Sequence, residues 1–210
     1  QVAAAREAAR ERTMAARQAI VEAAESLAAD THWKATGERF KELQLGDRET
    51  YLANFWTAHD PSPTTARNEL REVFLQRVEY ANRNFREFEK GMRSDRGRVY
   101  VRFGPPDEIT REVLPTPGTT LSEILDPSDP GMASLIDSRS SHSGSTDQTQ
   151  GDFHNVDTRP YEIWKYTRMG DPLFPERERI TPNDGLTFIF VDDAGVGRYT
   201  LRYSNSFKRF

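Results

Sequence analysis

The stretch GMRSDRGRVYVRFGPPDEI, residues 91–109, decides how the fold is interpreted. A charged segment leads into an alternating run from Val99 to Phe103, and the run stops at Gly104-Pro105-Pro106-Asp107. Strict alternation of apolar and polar residues is typical of a half-buried β-strand, and glycine followed by prolines ends a strand. We therefore predict that residues 99–103 form the first strand of a sheet, entered and left through tight turns.

Asp95 supports two interpretations, because arginines flank it on both sides. Those arginines are Arg93, Arg96 and Arg98. In a functional interpretation Asp95 is an acid between anion clamps, and the backbone of residues 94–97 cradles a phosphate. In a structural interpretation Asp95 binds backbone N–H groups or an arginine, and Gly97 adopts a conformation that other residues avoid. Phosphate loops contain more glycine and precede a helix, whereas a strand is predicted here, so the structural interpretation is favoured. The predicted structural motif comprises Gly91, Asp95, Arg96, Gly97, Gly104, Pro105, Pro106 and Asp107.

Composition excludes several classes of partner and site. The 210 residues carry 29 basic and 33 acidic side chains, a net charge of -4, which gives no field to hold nucleic acid. Cysteine is absent, so disulfides and thiolate chemistry are excluded. No apolar run approaches the roughly 20 residues that span a bilayer. Four scattered histidines match no metal-binding spacing, and we expect neither a metal nor another cofactor.

Helical patterns dominate the first part of the chain. Residues 1–30 are rich in alanine and lack glycine and proline, which predicts a helix. Its apolar stripe is thin, so residues 1–35 are predicted to be an arm that serves as a solvated linker or lies on a partner. Asp47 can cap a helix that ends before the prolines of DPSP, and Thr64 or Thr65 can cap a longer one to about residue 88.

The later strands complete the predicted fold. YEIWKY, residues 161–166, alternates imperfectly, and LTFIFVDDAGVGRYTLRYS reads as a hairpin with Gly195 and Gly197 at positive φ in its turn. We predict an α+β domain over residues 36–210, with about four antiparallel strands packed against two or three helices. The acidic turns offer carboxylates to calcium but lack its spacing, and turn chemistry explains them better.

A long polar segment separates the first two predicted strands. Residues 111–160 are rich in Pro, Ser, Gly and Asp, and loops of this length are usually functional or disordered. The segment holds one cluster of apolar residues that could form short helical turns on a neighbouring protein. The predicted partner contacts are Leu121, Ile124, Leu125, Met132, Leu135 and Ile136.

Four blocks in order resemble one family. They are NFWTAHDPSPTTARNELREVFLQRVEYANRNF, GMRSDRGRVYVRFGPPDEI, RPYEIWKY and FVDDAGVGRYTLRYS. Together they are similar to the GWxTD domain of bacterial exported proteins over residues 36–205, although Met92 stands in place of the family's Trp and Ser94 in place of its Thr. The family has no established biochemical activity, so the resemblance implies a fold and an extracytoplasmic location without catalytic residues.

Two functions remain open on this basis. We expect a non-catalytic binding or assembly module in the periplasm or cell envelope, whose partners are other protein chains of a larger membrane-associated complex. Secretory, respiratory and photosynthetic machines are all candidates. An anchor upstream of Gln1 would be compatible with this location. The alternative is a hydrolase that acts on envelope polymers with Asp95 or Asp107 as acid or base.

Overall fold

The computed structural model describes part of the chain, in two compact units. Described are Glu7, residues 45–125, Met132, Leu135, residues 157–174 and residues 185–205. The first unit comprises residues 1–84 with Phe210, and the second comprises residues 85–209. Of the predicted helix over residues 1–30 only Glu7 is described, and it is helical. The arm boundary at residue 35 and the predicted contact Ile136 lie outside the described residues.

Two helices make up the described part of the first unit. Helix α1 spans Leu45–Ala58 and helix α2 spans Glu69–Asn84. Their contact includes Trp56 and Phe74, whose ring centroids are 5.1 Å apart. The predicted caps Thr64 and Thr65 are wrong, since the side chain of Asn68 accepts the Arg71 N–H at 2.9 Å in the manner of an N-cap.

The second unit begins with a helix where a strand was predicted. A 3₁₀ turn over Gly91–Arg93 leads into helix α3, Asp95–Phe103. The first strand, β1, follows the prolines instead, at Glu108–Glu112. The prediction failed because the run from Val99 to Phe103 is short, and over so few residues an alternating pattern does not separate a strand from a short helix.

The sheet is a four-stranded antiparallel meander in the order β1-β2-β3-β4. After β1, the strands are β2 at Tyr161–Tyr166, β3 at Leu186–Val191 and β4 at Thr200–Ser204. The predicted α+β class, the antiparallel sheet and the terminal hairpin are therefore confirmed, while the first strand lies at β1 and not at residues 99–103. In the β3–β4 turn Gly195 and Gly197 have φ of 65° and 83°, as predicted.

One face of the sheet packs against aromatic residues of the segment that includes α3. Trp164 and Phe188 are paired across β2 and β3, so their side chains share this face. The ring of Phe103 lies 5.3 Å from that of Phe188, and the ring of Phe85 lies 5.3 Å from that of Trp164. Alternate strand residues point to opposite faces, so the other face needs a cover of its own.

That cover comes from the segment predicted to contact a partner. A helical turn, α4 at Leu121–Ile124, places Leu121, Leu125 and Leu135 in one cluster with the opposite face of the sheet, and Met132 packs against it. Leu121, Leu125 and Leu135 are buried within this chain, so the prediction that they contact a partner is corrected. The sheet residues of the cluster are Tyr161, Ile163, Ile189, Val191 and Tyr203.

Burial on both faces explains the imperfect alternation of β2. A strand with one solvent-exposed face alternates apolar and polar residues, whereas a strand buried on both faces has a continuous run of apolar residues. In β2 only Lys165 is exposed, and β3 is buried except at Thr187. The short helix α4 is itself stabilised by a capping box between Thr120 and Glu123.

Candidate functional site

Asp95 occupies the first turn of α3 and faces the last strand. Its Oδ2 accepts the Leu201 N–H at 2.8 Å, and its Oδ1 lies 3.7 Å from Nη1 of Arg98. A backbone N–H and an arginine of the same unit are the partners that the structural interpretation predicts. Asp95 therefore links the start of the helix to β4, a strand 106 residues away in sequence.

The turn before α3 is built by three small residues. Ser94 Oγ accepts the Gly97 N–H at 3.1 Å and donates to the Gly91 carbonyl at 2.7 Å. A β-carbon added to Gly97 would lie 1.8 Å from that carbonyl oxygen. Gly97 is thus required for close approach, and not for an unusual φ as predicted. Thr carries the same hydroxyl as Ser, so the family's Thr and Ser94 support one capping role.

The end of the helix is fixed by the second half of the motif. Gly104 has a φ of 79° and donates its N–H to Tyr100 O, while its carbonyl accepts from the Tyr166 hydroxyl at 3.0 Å. Pro105 and Pro106 cannot extend a helix. Asp107 then starts the sheet, because its N–H binds Lys165 O at 3.0 Å and its carboxylate accepts the Thr167 N–H.

Arg96 is the centre of a buried ionic network. Its Nη2 lies 2.8 Å from Glu87 and its Nη1 lies 2.8 Å from Glu162. Glu162 also contacts Nε of Arg111 at 2.7 Å and accepts the Trp164 indole N–H at 2.9 Å. The side chains of Arg96 and Glu162 are 9% and 1% exposed. The two carboxylates balance the two guanidinium groups, which is what burial of charge requires.

Tyr199 covers the network from the β3–β4 turn. The Arg96 guanidinium lies 4.1 Å from the centroid of its ring, a stacking geometry that favours arginine. The Tyr199 N–H reaches Glu87 Oε1 at 3.3 Å. Burial raises the pKa of the Tyr199 phenol, and the charge of Glu162 raises it further. The tyrosine is held in its neutral form, suited to packing rather than to proton transfer near neutral pH.

These contacts decide between the two interpretations of the motif. A helix follows the charged segment, so the predicted strand no longer counts against a phosphate site. Asp95 places negative charge in the first turn of that helix, however, where an anion would have to bind. Arg96 is already bound to two glutamates. The charged groups of the motif that could bind a ligand are therefore engaged in contacts that hold the fold together.

A second group of charges lies at the β3–β4 turn. Asp192 accepts the N–H groups of Val196 and Gly197, which is turn chemistry. Asp193 contacts Arg159 at 2.9 Å and also Arg202. Burial alone would raise the pKa of Asp193, but the hydrogen bonds and charges of Arg202 and Arg159 outweigh it and lower that pKa.

An open cavity runs along α1 and is lined by described residues of the first unit. That lining comprises Asp47, Thr50, Tyr51, Asn54, Phe55, Ala58 and His59. Within the described ranges no three His, Asp or Glu side chains gather in a way that could hold a metal ion. None of the helices described is long and apolar enough to cross a membrane.

Comparison with known families agrees with the architecture of the motif. The family model described as the GWxTD domain matches residues 7–115. The chain belongs to the GWxTD domain family. The match contains α3 and β1, whereas the strands β2 and β4, to which Asp107 and Asp95 bind, lie beyond it. No match was found among the curated proteins or the solved structures.

Sequence reasoning on this GWxTD domain missed the partners of Arg96. Glu87 and Glu162 lie 9 and 66 residues from it. Glu87 belongs to none of the four blocks, and Glu162 lies inside RPYEIWKY, where it was assigned no role. One signal was available, since Glu162 is an acid inside an otherwise apolar strand start, Tyr161 to Trp164. A buried carboxylate needs a paired cation, and that requirement pointed to an arginine elsewhere in the chain.

Proposed function

We propose that the chain is a non-catalytic binding or assembly module of a bacterial extracytoplasmic protein, an accessory subunit of a larger membrane-associated complex. The observation that supports this proposal is the use of the motif's charges inside the domain. Asp95 binds β4, Asp107 binds the Thr167 N–H after β2, and Arg96 binds two glutamates. Charged residues of the motif thus hold elements together, as expected of a scaffold whose function lies on its surface.

The competing hydrolase function requires two titratable groups that converge on a substrate. Asp95 and Asp107 instead serve different strands, at the start of α3 and at the start of β1. Each already accepts a backbone N–H from its own unit.

One experiment separates these functions. The purified chain is incubated with isolated peptidoglycan and with envelope polysaccharide, and Asp95→Asn and Asp107→Asn variants are run beside it. Release of soluble product that either substitution abolishes, in a variant that keeps its circular dichroism spectrum, would establish the hydrolase and overturn the assembly proposal.

The assembly function has its own positive test. Ile124 remains 41% exposed beside buried neighbours, and it stays a predicted partner contact. A photo-crosslinking amino acid at this position, in the chain expressed in a bacterial envelope, should give one discrete protein adduct. The same probe at Val196, 57% exposed on the hairpin turn, is the matched control. Equal, diffuse crosslinking from both positions would contradict a specific partner at this surface.

A further inference from the structure

Strand β1 forms one of the two edges of the sheet, and this strand is exposed. Glu108, Ile109, Thr110 and Arg111 are exposed and Glu112 is half-buried. In the described part of the chain β1 pairs only with β2. Ile109 is 48% exposed, an unusual position for a large β-branched residue. An open strand edge presents unpaired N–H and C=O groups, which another strand can bind.

The charges beside Ile109 are arranged symmetrically. Arg111 lies two residues after it, on the same face of the strand, and Asp107 lies two residues before it, in the bend that leads into β1. Both charged side chains are held in place from within the domain. Asp107 accepts the Thr167 N–H, and Arg111 contacts Glu162 at 2.7 Å. An acid and a base at equal distances from a central apolar residue form a self-complementary edge.

Self-pairing of β1 around a two-fold axis allows few registers, because one residue must lie on the axis opposite its own copy. With Thr110 on the axis, Glu108 opposes Glu112 twice. With Arg111 on the axis, two arginines oppose each other. Centring on either glutamate opposes two glutamates. Like charges directly opposite one another destabilise an antiparallel pair.

Only the register centred on Ile109 avoids these conflicts within β1. It places Ile109 against its own copy and sets Asp107 opposite Arg111 at both ends. Glu108 then opposes Thr110, which is neutral. Charges that would prevent sheet pairing in the other registers therefore favour this one.

We infer that β1 is a homodimerisation edge, and that a second copy of this chain pairs with it antiparallel about Ile109 to form a continuous eight-stranded sheet, twice the four strands of one copy. The interface is isologous, since the same residues contribute from each copy. It does not depend on the partner proposed above. A pairing this short is expected to be weak and to depend on protein concentration.

Because the chain contains no cysteine, single cysteines introduced at β1 provide a direct crosslinking test. A residue on the two-fold axis lies directly opposite its own copy, with the two β-carbons about 4.5–5.5 Å apart. This distance is close to the β-carbon separation across a disulfide. In the full chain, Ile109→Cys should form a disulfide-linked dimer about tenfold faster under mild oxidation than Val196→Cys, an exposed control away from the sheet edge. Thr110→Cys should crosslink slowly as well, because Thr110 is off the axis. Equal rates for all three, or fastest crosslinking at Thr110, would overturn the inference.

Sedimentation equilibrium provides a second readout with native chemistry. The mass of the unmodified chain should rise toward that of a dimer as the concentration approaches about 1 mM. Ile109→Lys opposes two ammonium groups and should keep the chain monomeric. Leu114→Lys, at a side chain that is 79% exposed and outside the paired segment, should leave the dimer unchanged. A chain that stays monomeric throughout, or loss of the dimer in both variants, would contradict pairing through β1 about Ile109.

Discussion

At the scale of single residues, Gly97 is the glycine at which a β-carbon would make the shortest contact. Gly97→Ala would force a methyl group to 1.8 Å from the Gly91 carbonyl oxygen, a backbone atom that cannot rotate away. We expect a loss of about 3 kcal/mol or more in the free energy of unfolding, measured by urea denaturation.

The matched control is Gly195→Ala, where a β-carbon meets nothing within 4 Å and only the φ of 65° is unfavourable. This substitution should cost about 1–2 kcal/mol. Equal losses at the two positions would show that close approach to Gly91 is not what requires glycine at residue 97.

Glu162 is the second critical residue, since its carboxylate joins Arg96, Arg111 and the Trp164 indole. Glu162→Gln keeps the shape but removes the charge that balances a buried guanidinium. We expect the unfolding free energy to fall by roughly 3 kcal/mol. Glu108→Gln, which removes an exposed partner of Lys165, should change it by less than about 1 kcal/mol. A small effect at Glu162 would mean that the network is not maintained in solution.

At the scale of elements, the β3–β4 turn is predicted to be sensitive to acid. The pKa of Asp193 is lowered from its ordinary value of 3.8, chiefly by Arg202 after the opposing effect of burial. The folded state therefore binds its proton less readily than the unfolded state. Its contribution to stability is present above the ordinary pKa and is lost as the pH falls through the lowered one.

Comparison of the wild type with Asp193→Asn measures this contribution. The difference in their unfolding free energies should be larger at about pH 7 than at about pH 3, with the wild type more stable at the higher pH. A difference that stays constant, or grows in acid, would exclude a charge effect. Asp192 is unsuitable as the test position because its carboxylate holds the turn backbone.

Elements also show how far sequence patterns reach. The hairpin was predictable because glycines and alternating residues are local signals, and Gly195 and Gly197 behave accordingly. Helix α3 was misassigned because the alternating run from Val99 to Phe103 is too short to separate a strand from a helix. The decisive local signal was the hydroxyl of Ser94 three residues before Gly97, which is N-cap spacing. The contacts of Asp95 could be foreseen in kind, while Leu201 as its partner depends on the tertiary fold.

At the scale of the molecule, the segment around α4 belongs to the domain core. Its sequence is polar on average, and the apolar minority was assigned to a partner surface because it could not offset the ordering entropy alone. The structure provides what that estimate lacked, a second apolar face of the sheet. Residues that pack on a distant sheet and residues that pack on another protein look alike in sequence.

Leu125 tests this assignment. It is 6% exposed in the cluster on the sheet, whereas its neighbour Ile124 is 41% exposed. Leu125→Ala should lower the unfolding free energy of the isolated chain by about 3 kcal/mol, and Ile124→Ala by less than about 0.5 kcal/mol. Hydrogen exchange in a verified monomer should show protected amides at the end of α4. Fast exchange there, with no effect of Leu125→Ala, would restore the partner-surface interpretation.

The hydrogen bond between Asp95 and Leu201 cannot form on the ribosome until the whole segment between these residues has been made. The start of α3 acquires its strand partner only after another 106 residues have been made. At translation rates of about 5–20 residues per second, that interval is about 5–20 s. During it the nascent helix carries Val99 and Phe103, buried in the finished domain, without the strand that completes its contacts. The chain therefore exposes these two apolar side chains for seconds before β4 emerges, however quickly the completed domain can fold.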